Sequence, residues 1–301
     1  MRHFIVSDLH GDGTMYDSII GYMENVCKDS NDDITLHING DLMDRGYDSA
    51  RMLLDVYNRV KNKGPFKINY LGGNHEFMLW QDSLNRVDGV WPSGTSWHEN
   101  GGDITLKNMQ DELSVSQINK LVKFIGNLKL YYKFSEKLDG KNIVLVHAKC
   151  PDRVLYNCHL RIKDDPELIR DIVWYRKDDL EKNQLKVGNS KYFTIIGHTP
   201  LQYPRGYKYY SDENYLNIDG GCGCYVLGCN GFDHLPLIEI DSLNNRLIIL
   251  TFNNSNEIIS GSYFSDGKST PIRSLDKYRK YIDEDVKVRK LTYSDGEIFF
   301  V

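Results

Sequence analysis

Five short segments constrain this chain more than anything else in it. They are Asp8-Leu9-His10-Gly11, Gly40-Asp41-Leu42-Met43-Asp44-Arg45-Gly46, Gly73-Asn74-His75-Glu76, Val146-His147-Ala148 and Gly197-His198-Thr199-Pro200. Each follows an apolar run that reads as a β-strand, and each presents carboxylate, amide or imidazole groups rather than thiols. Groups strung on the ends of successive parallel strands collect at one edge of a sheet, where the binding sites of α/β folds lie. The chain must therefore fold so that its far-apart turns share an edge.

The first half alternates strand and helix. Residues 4–7 read as a strand, and Thr14 with Asp17 three residues on reads as the N-cap of a helix running to about Cys27. Strands are predicted at 34–38 and 68–71, and helices at 49–60 and 75–84, with Met52, Val56 and Val60 on one face of the former. This repeating order predicts parallel strands joined by crossover helices. The second half predicts a helix near 116–125 and then strands at 128–134, 142–147, 192–197, 215–218, 235–240 and 246–252, with a hairpin turn at Asn244-Asn245. Residues 86–103, rich in Trp, Gly, Ser and Asn, read as an ordered loop over the site. The polar tail carries weaker strand patterns near 258–264 and 297–301.

The expected fold class is α/β (α+β), two mixed sheets stacked face to face with helices outside. Two independent domains are the alternative, but candidate ligands come from both halves and need a shared seam. We expect one catalytic domain over 1–252, with 253–301 as an extension packed on it.

Bulk properties narrow the function. The 301 residues are 41% hydrophobic and 26% charged, ordinary for a globular protein. The net charge of −5 and the lack of any long basic block give no support to broad electrostatic binding of nucleic acid or anionic lipid. No apolar run approaches the roughly 18 residues of a membrane span. No secretory signal is legible ahead of Asp8, and six irregularly spaced cysteines do not make a disulfide scaffold, so a cytoplasmic location is expected.

The donor types state the chemistry. Asp8 and His10, two apart, can aim at one ion from an extended turn, and Asp41 can bridge two ions with its two oxygens. Asn74 adds a neutral carbonyl, and His147 and His198 can complete a second ion. Mixed oxygen and nitrogen ligation suits Mn²⁺, iron, Zn²⁺ or Mg²⁺. Two such ions about 3.5–4 Å apart can clamp a phosphoryl group and activate a water. A lone Asp-x-His is better read as a turn; five such turns point to a phosphoester hydrolase.

The set Asp8-x-His10-Gly11, Gly40-Asp41-x-x-Asp44-Arg45-Gly46, Gly73-Asn74-His75-Glu76, His147 and Gly197-His198-Thr199 resembles the calcineurin-like metallophosphoesterases, within them the phosphoprotein phosphatase branch, over residues 1 to about 225. The resemblance implies a β-sandwich flanked by helices and two divalent ions, Mn²⁺ being the favoured identity. By that analogy one ion takes Asp8, His10 and Asp41, and the other Asp41, Asn74, His147 and His198. It also implies that His75 is the general acid, Asp44 its carboxylate partner, and Arg45 and Arg176 the phosphate-gripping pair. Attack by a bridging hydroxide, without a phosphoenzyme, is implied too. An Asp44–Arg45 salt bridge and a helix-surface Arg176 are the plainer alternatives.

Two substrates compete, a phosphorylated protein and a dinucleoside tetraphosphate cleaved symmetrically. Trp97, Asn100-Gly101-Gly102 and Thr105 suit bacterial members of both groups. Val146-His147-Ala148-x-x-Pro151 and Val173-Trp174-Tyr175-Arg176 resemble the serine/threonine protein phosphatases. Lys149 departs from the usual Gly or acidic residue and is expected to point to solvent. A non-catalytic scaffold should have lost a ligand or the acid, and none is missing. Cys222-Gly223-Cys224 with Cys229 reads as a tight turn of small residues behind the metals, in preference to a thiolate site or a redox pair. Tyr203, Tyr207, Tyr209 and Tyr210 are expected to edge a strand near the cleft. His3, His37, His98 and His159 are expected to be structural, with His98 the best exception.

Overall fold

The computed structural model describes residues 1–62, 64–150, 160–176, 191–202, 206–286, 291–294 and 297–300. Pro151, Cys158, His159 and Tyr203 lie outside the described residues. Strand β1 (Arg2–Val6), helix α1 (Gly13–Lys28), β2 (Ile34–Asn39), α2 (Ser49–Asn62) and β3 (Lys67–Leu71) follow the alternation expected, and both strand pairs are parallel. Then come α3 (Asn74–Leu84), α4 (Asp103–Glu112), α5 (Val115–Gly126), β4 (Tyr131–Leu138) and β5 (Lys141–Val146). Helix α6 (Pro166–Val173) precedes β6 (Tyr192–Ile196), β7 (Lys208–Tyr210), β8 (Tyr215–Asn217) and the short helix α7 (Cys222–Tyr225). The chain continues through β9 (His234–Asp241), β10 (Arg246–Asn253), β11 (Glu257–Ser265), β12 (Lys268–Pro271) and α8 (Asp276–Arg279), with a β13 (Leu291–Ser294) and β14 (Glu297–Phe300) hairpin beyond.

Two mixed sheets result, ordered β12-β11-β10-β9-β1-β2-β3 and β4-β5-β6-β8-β7. Side chains alternate between two cores, as the two-residue period of a strand requires. Ile5, Ile143, Leu145, Ile195, Leu247 and Ile249 meet between the sheets. Phe4, Val6, Val144, Val146, Ile248 and Leu250 face the helix layers. Strands buried on both faces must be apolar throughout, which is why they are legible as runs.

Three expectations shift. The N-cap of α1 is Asp12, whose side chain accepts from Met15 N, while Thr14 lies inside the helix. Residues 98–102 form a kinked helical turn leading straight into α4, where a loop was expected. Strand β4 begins three residues later than the predicted 128. Strand β11 pairs with β10 from Leu247↔Phe264 to Asn253↔Glu257. Asn245 does close the β9–β10 turn, at φ 48°.

A buried relay ties the sheets together. The Asn69 amide lies 2.9 Å from His37 Nδ1, and His37 Nε2 lies 3.0 Å from His3 Nδ1. His3 Nε2 in turn lies 3.5 Å from Glu136 on the other sheet. Every ring nitrogen is thus used with both imidazoles neutral. Burial, then repulsion from His3 whenever that ring takes a proton, pushes the His37 pKa down to about 3. An unfolded imidazole takes its proton near pH 6.5, so this contribution to stability is whole above that pH. It is lost between about 6.5 and 3, at about 1.4 kcal/mol per pH unit for one proton. Urea midpoints measured from pH 7 to pH 4 should therefore fall, and His37→Gln should make the fall shallower; an unchanged slope would remove His37 from the acid response.

Candidate metal centre

The turns after β1, β2, β3, β5 and β6 meet at one end of the sandwich. Their backbones are bent to do so: Asp8 (φ 57°), His10 (46°), Asp41 (49°), Asp44 (72°), Arg45 (71°) and His198 (69°) all occupy the left-handed region. Non-glycine residues visit it rarely, at a cost on the order of 1 kcal/mol or more each, and persist there only when neighbours hold them. The neighbours are visible. His10 N donates to Asp41 O (2.9 Å), Arg45 N to Gly101 O (3.1 Å) and Gly46 N to His10 O (3.0 Å). His198 N donates to the Asp8 carboxylate at 3.0 Å, and Ser7 Oγ donates to that carboxylate as well. Glu76 gathers the ends of β2 and β3, accepting from Asp41 N (2.9 Å), Leu42 N (3.0 Å) and Gly73 N (2.8 Å). Gly40 and Gly73 let those ends touch, because a Cβ on Gly73 would lie 2.3 Å from Asp41 Oδ1.

Around Asp41 the donor atoms converge. Its Oδ2 lies 3.5 Å from His10 Nε2, 3.4 Å from His147 Nε2 and 3.9 Å from His75 Nε2. Asn74 Oδ1 lies 3.1 Å from His147 Nε2 and 2.9 Å from His198 Nδ1. All of these residues are buried. Two triads stand out as able to hold an ion, His10-Asp41-His75 and Asp41-His147-His198, and Asp41 belongs to both.

The donor set fits divalent cations on its own chemistry. His10 Nδ1 faces the Met43 carbonyl at 3.1 Å and His147 Nδ1 the Asn39 carbonyl at 2.8 Å. Each Nδ1 must carry the proton, as in metal-binding histidines, leaving a bare Nε2 aimed at Asp41 Oδ2. Lone pairs facing one another at this range repel unless positive charge lies between them. Burial lowers the His147 pKa, but Asp41 and then Asp8 outweigh it and carry it up to about 10. Burial and the nearby Asp219 raise the Asp8 carboxyl well above its usual range. Ligands about 2.1 Å from a common ion sit about 3.0–3.4 Å apart, close to the 2.9–3.5 Å separating these donors of His10, Asp41, Asn74, His147 and His198.

The predicted catalytic residues lie beside this cluster. His75 Nδ1 meets Asp44 Oδ2 at 2.7 Å, and Arg45 Nη2 approaches His75 Nε2 at 3.3 Å. Asp44 engages His75, so the alternative of an internal Asp44–Arg45 pair gives way. Arg176 lies beyond the end of α6, its Nε 3.4 Å from His198 Nε2. Arg45, Arg176, Asn74, His75, His198 and Asp41 all line one cavity of about 580 Å³, with His98 and Trp174 on its walls. Of the three described histidines set aside, His3, His37 and His98, only His98 lines it.

Other features resolve. Lys149 does not point freely to solvent; its Nζ stands 3.9 Å from the centre of the Tyr175 ring, and burial lowers its pKa. Cys222 and Cys224 flank Gly223, where a Cβ would lie 2.4 Å from His10 Cδ2, so the small residue is what lets α7 back the centre. Cys27, Cys222, Cys224 and Cys229 are free, and no cysteine joins a candidate metal cluster among the described residues. Tyr209 and Tyr210 stack on Phe193 and Tyr215 respectively, on the edge strand β7.

The roles of three residues escaped the sequence reading. Glu76 stands three after Gly73, the spacing of a capping box. Asp219 lines the cavity just after strand β8, the same strand-end pattern as the others, and burial above all lifts its pKa to about 6. Trp97 donates from Nε1 to Asp44 Oδ2 at 2.8 Å, a contact across 53 residues that no local pattern announces.

Comparison with known proteins agrees with this geometry. Residues 1–227 match the calcineurin-like phosphoesterase family, and the chain belongs to it. The family is one of phosphoric ester hydrolases. The chain is similar to a bis(5'-nucleosyl)-tetraphosphatase PrpE (asymmetrical) of Oceanobacillus iheyensis, 25% identical over 231 residues that cover 74% of this chain and 84% of that protein. Among solved structures it is similar to a cold-active protein tyrosine phosphatase of a Shewanella species, at 17% identity and TM-score 0.44, covering 90% of this chain and 80% of that one. A metallophosphoesterase from Sphaerobacter thermophilus aligns at 13% identity and TM-score 0.41, over 85% and 92% of the two chains. No helix among the described residues is long and apolar enough to cross a membrane.

Proposed function

We propose that this chain is a two-metal phosphomonoesterase acting on phosphoserine and phosphothreonine in proteins. The observation that carries the hydrolytic reading is the single Asp41 oxygen faced by the bare nitrogens of His10 and His147, in a cavity that also holds His75, Arg45 and Arg176. Asp8, His10 and Asp41 would hold one ion, and Asp41, Asn74, His147 and His198 the other. When bound, two divalent ions, Mn²⁺ by preference, would polarise the phosphoryl oxygens and lower the pKa of a water.

The protein's own groups supply the rest. Arg45 and Arg176 present planar guanidinium forks that match phosphate oxygens and orient the ester for in-line displacement. His75 gives a proton from Nε2 to the departing oxygen, and Asp44 at its Nδ1 holds the ring and supports its charge. Water supplies the new P–O bond, so no phosphoenzyme forms. Chelation should abolish p-nitrophenyl phosphate hydrolysis, and Mn²⁺ should restore most of it; activity that survives exhaustive chelation would contradict the two-metal reading.

Protein as the substrate class is supported by Val173-Trp174-Tyr175-Arg176, whose tryptophan and arginine both line the cavity. The second reading is dinucleoside tetraphosphate cleavage, which the name of the 25% identical relative favours. Turnover of a phosphoserine peptide and of diadenosine tetraphosphate, side by side with Mn²⁺, tests the choice. Preference for the peptide is expected; a tenfold or greater preference for the nucleotide would install the second reading. The free thiols of Cys27, Cys222, Cys224 and Cys229 suit a reducing cytoplasm as the working compartment.

A further inference from the structure

We propose that Trp97 is a positioning residue for proton donation, holding Asp44 so that Asp44 can hold His75; this rests on the reading of His75 as the general acid. Trp97 is wholly buried, and its indole N–H donates to Asp44 Oδ2 at 2.8 Å. His75 Nδ1 meets the same oxygen at 2.7 Å. The other oxygen, Oδ1, is buried and has no hydrogen-bond partner among the described residues. Asp44 therefore takes both donors on one oxygen, which defines a single rotation of its carboxylate. Without the indole donor, only His75 itself would select between two equivalent oxygens, and the ring it should steady would have to steady its partner.

The surrounding chain is built around this contact. Asp44 N, in the left-handed region, donates to both Ser49 Oγ and Thr105 Oγ1 at 3.0 Å. Thr105 belongs to α4, eight residues after Trp97. Between them Gly102 lies flat against the indole, where a Cβ would come within 2.3 Å of Trp97 Nε1. The segment from Trp97 to Thr105 thus grips Asp44 by side chain and by backbone, and holds the Arg45 backbone through Gly101 O. Covering the cavity is only part of what this segment does; it also orients the acid.

Leaving groups separate this role from mere structural support. Phenolate leaves poorly and needs a proton as the P–O bond breaks, whereas p-nitrophenolate departs as a stable anion. With the Mn²⁺-loaded full chain, Trp97→Phe should lower kcat on phenyl phosphate about tenfold or more, within the range general acids supply, and leave p-nitrophenyl phosphate nearly unchanged. KM and metal content should hold. Gly102→Ala, at an ordinary φ of −72°, keeps the ring but pushes it off Asp44 and should show the same selectivity, which carries the test if Trp97→Phe does not fold. In an Asp44→Asn background Trp97→Phe should add no further selectivity, since its effect passes through that carboxylate. Equal losses on both esters would overturn the proposal while leaving the hydrolase standing. A wild-type chain inactive on both esters would overturn the hydrolase and the proposal together.

Discussion

Asp41→Asn is expected to strip the centre of its shared ligand and lower kcat/KM on p-nitrophenyl phosphate by about a thousandfold, the several kcal/mol that metal stabilisation of a phosphoryl transition state supplies. The substitution keeps size and shape. It removes the charge that the bare Nε2 atoms of His10 and His147 face, and an amide NH₂ turned toward them would satisfy one of those nitrogens by itself. The fold should survive, because the His75 N–H, at 3.1 Å from Asp41 Oδ1, can still find a carbonyl there. Elemental analysis after gel filtration in Mn²⁺ should show the metal content reduced together with the rate. Two ions retained at full activity would show that Asp41 is not the atom they share.

His75→Asn is the second large effect and separates acid from ligand. His75 lies close enough to His10 and Asp41 to be grouped with them as a metal triad. Its Nδ1, however, is committed to Asp44, and its Nε2 stands nearer to Arg45 (3.3 Å) than to Asp41 Oδ2 (3.9 Å). We therefore expect metal content to stay constant while kcat falls about a hundredfold or more on esters with poor leaving groups, the range typical of general acid catalysis. Loss of an ion in this variant would make His75 a ligand, and full activity would remove it from the chemistry.

Much of this centre was legible in the sequence for a physical reason. Strands buried on both faces are apolar throughout, so Ile5 packs between the sheets while Phe4 and Val6 face helices, and the polar residue that follows such a run stands out. Asp8, Asp41, Asn74, His147 and His198 all announced themselves in that way. Asp219 has the same signature after β8 and was passed over because a glycine-rich turn follows it. Helix α4 was not visible, since Thr105 and Met109 are its only buried residues and its N-terminus grows out of a Gly-Gly pair. The N-cap of α1 was misassigned because Thr14 with Asp17 offers the same capping spacing two residues beyond Asp12, the residue that caps the helix. What could not be read at all were the contacts that set geometry rather than composition. Glu76 on the backbone of Asp41 and Trp97 on Asp44 bridge 35 and 53 residues.

One measurement bears most directly on the shared oxygen: anomalous diffraction from crystals grown with Mn²⁺. Two peaks about 3.5–4 Å apart are expected, with a carboxylate oxygen of Asp41 bonded to both. A single peak, or a pair that does not touch Asp41, would contradict the account.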